Sequence, residues 1–290
     1  QRPVEEGVPV ERTLAPAACV QQVYSSRIIK ASALIADTMT LLSCWDESLS
    51  VDANLRRARE ENIFGKASRS RVEDILQIFR ERYLADPAVA RSLVCLVKGG
   101  FPYEALVPIL YFFSAKADRL LHDVVTEVLR PMRDAGYAEI TVQDLCRVLS
   151  HWVEEGKTYG KWSAGTVERV AHGVLTTLRD FGILHGIRKK VISSVYLPTK
   201  AFAFIAFELK RTGVPSADLL GHPAWGLFFL QSEGVERLFI EAHQERLLEY
   251  HAAGTAIRIE FAQQSPEEYA YALTERQNRS ARERPLGGAS

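Results

Sequence analysis

The stretch that most constrains this chain is residues 139–198, where two helical patterns run into a basic hairpin. The first pattern opens at Thr141-Val142-Gln143-Asp144, a box-like helix start in which a hydroxyl takes a free backbone N–H and the acid reaches back. Leu145, Cys146, Leu149, Trp152 and Val153 then follow toward one side. The second helix starts at Ser163, carries Val167, Val170, Val174, Leu178 and Phe181 on one face, and stops at Gly182. Ile183-Leu184, a turn, and the run from Ile187 to Val195 complete the order. Recognition helix, strand, charged wing, strand is the order of a winged helix. In such modules the first turn of the recognition helix meets bases and basic wing residues meet phosphate.

Elsewhere the helical period dominates. Ile28 to Leu42 is apolar at close to helical spacing, and Asp52 to Glu60 reads as a charged helix. Ser70-Arg71-Val72-Glu73 reads as a capping box opening a helix with Val72, Ile75, Leu76, Phe79 and Tyr83 inward. Pro87 and Pro102 start further helices, and Asp118 to Met132, Ala201 to Lys210 and Val235 to Tyr250 continue the pattern. Thr255 to Phe261 alternates like a short strand, and Ser265-Pro266 starts a last helix. The expected fold is mainly α: a multi-helix globular protein with helix-turn-helix and winged-helix-like elements and a few short strands. The expected organisation is a flexible arm over 1–23, an N-terminal helical domain over 24–135, a winged-helix-like and C-terminal helical region over 136–273, and a flexible tail over 274–290.

With 36 basic and 36 acidic residues the formal net charge is zero, so any anion-binding surface must come from local segregation of charge. Cys19, Cys44, Cys95 and Cys146 lie far apart, which favours buried free thiols in a reducing cytoplasm over a zinc site or a disulfide scaffold. No secretory pattern opens the sequence, and the apolar runs Phe101–Ala115 and Ala201–Leu209 are shorter than the roughly 20 residues a span requires. A soluble cytoplasmic protein with no membrane contact is expected.

Catalytic constellations are missing: there is no phosphate loop, dinucleotide fingerprint, HExxH or nucleophile elbow. His243 and His251, eight apart on a predicted helix, could share a face, but two histidines without a nearby carboxylate ligand are more often surface or cap residues than a metal pair. Glu154–Glu155 and Glu267–Glu268 read as helix-end charges. Tyr111-Phe112-Phe113, Phe202, Phe204, Phe207, Phe228 and Phe229 sit in contexts too apolar for base stacking and belong to the core. No enzyme activity, cofactor, metal or small-molecule substrate is expected.

Two basic clusters stand out. Between Lys157 and Lys190 only Glu168 and Asp180 oppose seven basic residues, among them Lys161, Arg169, Arg188 and Lys189. Against a DNA role stands the use of winged helices as protein-docking modules, with lysines that merely solvate a face. The connection Glu154–Trp162 is also longer than the turn of a tight helix-turn-helix, about 3–4 residues. The second cluster comprises Arg56, Arg57, Lys66, Ser68, Arg69 and Arg71, where serines and the free N–H groups of a helix start can hold a phosphate. Its bland alternative is a solvated helix junction with arginines paired to Glu60, Glu61 and Asp74.

The order of an amphipathic N-terminal helix, then Asn62-Ile63-Phe64-Gly65-Lys66-Ala67-Ser68-Arg69-Ser70-Arg71, then a helical midsection, resembles the BrxA family of BREX bacteriophage-exclusion systems. Trp162-Ser163-Ala164-Gly165-Thr166, Leu178-Arg179-Asp180-Phe181-Gly182-Ile183-Leu184 and the wing ending at Pro198 extend the resemblance, which covers roughly Tyr24 to Leu273. It implies a helical protein, NusB-like in its N-terminal part, with two helix-turn-helix elements beside basic surface. Double-stranded DNA would bind without catalysis, and both clusters fall where such contacts belong. Other BREX subunits, a methyltransferase or an ATPase, are further candidate partners. Two other readings are an adaptor that docks such subunits, and a NusB-like RNA-binding protein.

Overall fold

The computed structural model describes residues 23–254 and 256–283, with the backbone alone described for 276–283. Residues 1–22 and 284–290 lie outside the described residues, and with them most of the expected arm, the end of the expected tail, and Cys19. The chain is mainly helical, with a few short strands. The N-terminal part comprises α1 (Ile28–Ala31), α2 (Ile35–Ser43), α3 (Val51–Glu60), α4 (Arg69–Tyr83), α5 (Pro87–Lys98), α6 (Tyr103–Ala117) and α7 (Arg119–Asp123). A π-helical stretch, Val124–Leu129, joins α7 to α8 (Arg130–Asp134). Then come β1 (Glu139–Ile140), α9 (Val142–Glu154), α10 (Ala164–Asp180), β2 (Leu184–His185) and β3 (Lys190–Ile192). The chain closes with α11 (Thr199–Arg211), α12 (Ser216–Leu219), a 3-10 turn (Pro223–Phe228), α13 (Ser232–Gln244), β4 (Glu249–Ala253), β5 (Ala256–Glu260) and α14 (Pro266–Glu283).

The aromatic residues assigned to the core from their context are all buried. Phe202 lies 4.7 Å from both Trp225 and Phe239, and Phe207 stacks on Tyr269 at 4.7 Å. Tyr111 of α6 meets Phe181, just past α10, at 5.4 Å and Phe228 at 5.5 Å. One continuous apolar cluster thus runs from Tyr24 to Leu273 and fixes the winged segment against the helices on either side.

Several local readings change. The stretch Ile28–Leu42 is two helices, because Ser32 and Leu34 take positive φ (39° and 50°) and break the hydrogen-bond ladder between α1 and α2. Ser70 is not a cap: α4 starts two residues earlier, with Ser68 at the N-cap and Ser70 inside the first turn. The pattern read as a helix to Tyr250 stops at Gln244, where Arg246 at φ 58° reverses the chain into β4. Leu247 and Leu248, which fitted the helical spacing, are buried in that turn instead. Of the cysteines described, Cys44 is exposed and Cys95 and Cys146 are half-buried, so the thiols are free but not deeply buried. No described helix is long and apolar enough to cross a membrane.

Candidate nucleic-acid interface

The order helix, helix, strand, strand read from the sequence is present, with shorter strands and one addition. Thr141 Oγ1 accepts from Asp144 N (3.2 Å) while Asp144 Oδ2 accepts from Thr141 N (2.9 Å), so α9 begins with a complete capping box. At the start of α10 Ser163 Oγ accepts from Thr166 N at 3.3 Å. Leu145, Leu149 and Trp152 of α9, and Val167, Val170 and Val174 of α10, are buried where these helices pack together. The addition is β1, too short to show a period, which pairs with β3 and completes an antiparallel sheet in the order β1-β3-β2.

The long α9–α10 connection has a structural cause. Val23 N and Tyr24 N both donate to Lys157 O (2.8 and 3.0 Å), and Tyr159 N donates to Tyr24 O (2.9 Å). The connection therefore serves as a pairing edge for the start of the described chain. The Tyr24 ring packs on Trp152 at 4.8 Å, and its hydroxyl donates to Asp123 Oδ2 at 2.8 Å. Asp123 is buried and also accepts from Arg119 Nε (2.7 Å), with His122 Nδ1 2.7 Å from its other oxygen. Burial works to raise the Asp123 pKa, but the hydrogen bonds from His122, Arg119 and Tyr24 outweigh it and hold the carboxyl below the ordinary range. Sequence spacing gave no sign of this anchor, since Tyr24 and Asp123 are 99 positions apart.

From Tyr24 the chain enters α1, which lies across α10 at Gly173. A Cβ at that glycine would sit 3.0 Å from Ile28 O, so the two backbones approach closely enough that a side chain there would push the carbonyl aside. The second half of α10 is thereby partly covered, whereas Ala164, Gly165, Glu168, Arg169 and His172 remain exposed in the first half. Arg169 Nε bonds its own helix at Gly165 O (3.2 Å), and its charge has no carboxylate partner among the described residues. Lys161 and Arg188 are exposed, and their side chains have no partner among the described residues. Lys157 is half-buried, paired to Glu155 at 2.8 Å and lying over the Trp152 ring.

The three wing cations, alike in sequence, differ in the structure. Arg188 is exposed at the tip, and Lys189 forms an open ion pair with Glu139 of β1 at 3.1 Å. Lys190, expected to present its charge outward, is buried inside the hairpin, where Nζ donates to Gly186 O (3.0 Å) and to Ile187 O. Those tip carbonyls have no strand partner, and the lysine satisfies them; burial, with Arg179 nearby, lowers its pKa.

The first cluster is likewise divided. Arg57 donates to Cys44 O and lies 3.6 Å from Asp46, which ties α3 to the loop before it. Lys66 pairs with the half-buried Asp37 at 2.9 Å, and Arg71 Nη1 donates to Lys30 O (2.6 Å) at the end of α1. Neither the solvated pairing to Glu60, Glu61 and Asp74 nor a fully open cluster describes these three; they tie α3, the α3–α4 turn and α4 to neighbouring segments. Arg56 is exposed with no side-chain partner among the described residues, Arg69 is exposed beside Glu73 (3.6 Å), and Ser68 is exposed with its hydroxyl unused by its own helix.

A groove of about 440 Å³ brings the two clusters' helices together. Its walls are α4 (Asp74, Gln77, Glu81) and the start of α10 (Thr166, Arg169), with α1 (Ile29, Lys30) between them. Arg27 and Lys30 in it are paired to Glu81 and Asp74, so its floor is near neutral and Arg169 is the open charge at its edge. Arg188 does not line this groove. His243 and His251 do come together, rings 5.6 Å apart, but from α13 and β4 rather than from one helix. No group of three metal-ligating side chains occurs among the described residues.

The BrxA family model matches residues 22–208. No curated protein sequence matches the chain. Among solved structures, the chain is similar to an SspB crystal structure with a TM-score of 0.55 and 13% identity, over 90% of this chain and 93% of that one. A magnesium ion-bound SspB structure gives a TM-score of 0.53 and 13% identity, over 91% and 94%. At that identity the likeness is one of fold.

Proposed function

This chain belongs to the BrxA family, which makes it a BREX defence-associated protein, and from that premise we propose that it is a non-enzymatic accessory protein that binds double-stranded DNA by the phosphate backbone. The observation that carries the reading is the open first half of α10. Beside the half of α10 that α1 partly covers, Lys161, Arg169 and Arg188 stand exposed without acidic partners among the described residues. Arg56, Arg69 and Ser68, with the start of α4, offer a second phosphate contact. Lys157, Arg57, Lys66, Arg71 and Lys190 act from behind, holding the helices and the wing that display these groups. Backbone contacts position a protein on DNA but carry little sequence information, so weak sequence preference is expected.

Anisotropy titration of a labelled duplex at low salt tests the reading. Saturable binding that weakens as salt is added supports it, and unrelated sequences should bind within about tenfold of one another. No binding at low salt overturns it.

A further inference from the structure

Ile187, at the tip of the β2–β3 wing, is 85% exposed, the most exposed large apolar side chain among the described residues. The tip that carries it is a built feature. Lys190 is buried inside the hairpin and ties down the carbonyls of Gly186 and Ile187. Gly186 has φ 93°, and a Cβ there would lie 2.3 Å from Lys189 O, so the turn closes only on glycine. β1 flanks β3 and braces the base of the wing, and Arg188 next to Ile187 is exposed with no side-chain partner among the described residues. The result is a narrow, rigid projection that ends in one apolar and one cationic side chain.

DNA offers that pair a matching site. The minor groove, about 6 Å wide, is too narrow for a helix but admits a hairpin tip, and its phosphate-lined walls attract arginine. Apolar side chains that enter it wedge between base steps and kink the duplex by about 20–90°. We propose that the wing enters the minor groove, with Arg188 along the groove and Ile187 wedged at a base step, so that the protein bends the DNA it binds. This rests on the duplex-binding reading above and adds the groove, the wedge and the bend. Flexible pyrimidine–purine steps are the favoured points of entry.

The test is energy transfer between the ends of an 18-base-pair duplex saturated with the full chain. Unbent, the ends lie about 61 Å apart at about 3.4 Å per base pair, and a kink of about 60° near the middle brings them to about 53 Å. The expected result is that shortening for the wild type and its loss in Ile187→Ala, with binding within about threefold of wild type. Arg169→Ala should bind more weakly yet shorten the duplex equally once saturated. Ile187 is exposed at a loop tip, so its truncation leaves the core intact. A duplex that is bound but stays straight overturns the wedge and spares the binding reading, as does equal shortening by wild type and Ile187→Ala. A duplex that is not bound at all overturns both.

Discussion

Replacing Asp123 with Ala probes the anchor that sets α1 across α10. The buried carboxylate accepts from Tyr24, Arg119 and His122 at 2.7–2.8 Å. Without it the Tyr24 hydroxyl, in a side chain 2% exposed, loses its partner, a cost of about 1–3 kcal/mol. Arg119 is largely exposed and regains water, so its share is at most about 1 kcal/mol. With a fraction for the half-buried His122, the variant should be destabilised by about 2–4 kcal/mol. At a slope of about 3 kcal/mol per molar, urea unfolding at pH 7 should show a midpoint lower by roughly 1 M. The pH dependence has a definite sign. The folded carboxyl titrates below its unfolded value, so its contribution is complete above the ordinary aspartate range and is lost as pH falls through the folded pKa. The gap between wild type and variant should therefore close in acid. A midpoint shift under about 0.2 M at pH 7, or a gap that widens on acidification, refutes the reasoning.

Gly173→Ala gains up to about 1 kcal/mol of helix propensity but drives a Cβ to 3.0 Å from Ile28 O. Because a backbone carbonyl yields less than a side-chain end, overpacking should win, for a net loss of about 1–2 kcal/mol in thermal or urea unfolding. Thr141→Ala removes half of the α9 capping box and should cost about 1 kcal/mol by the same measurement. Lys190→Met leaves Gly186 O and Ile187 O to water, so global stability should fall by only about 1 kcal/mol while amide exchange in the wing rises several-fold.

The winged segment was legible because its signals are local. Thr141 and Asp144, Ser163 with the apolar face of α10, and Gly182 at its end each act within a few residues of themselves. The buried aromatics were legible from apolar context alone. What escaped was non-local or conformational. Period counting cannot register the positive φ of Ser32, Leu34 or Arg246, so two helix ends were overrun. β4 was hidden because Leu247 and Leu248 satisfy a helical spacing that the turn reuses. Charge counting treats Arg188, Lys189 and Lys190 as equals, whereas register sends one outward, pairs one with β1 and folds one inside. The long α9–α10 connection was visible as an oddity, but its cause, the Tyr24 segment, lies over a hundred residues away.

The open cations of the winged segment are proposed to neutralise DNA phosphates. The direct measurement is the slope of log affinity against log salt for the wild type and for Lys161→Ala, Arg169→Ala and Arg188→Ala combined. Each phosphate contact adds about 0.9 to the slope, so the triple variant should be shallower by roughly 2.7, with folding unchanged because all three side chains are exposed. An equal slope in wild type and variant would contradict the account, since the phosphates would then be held by other residues.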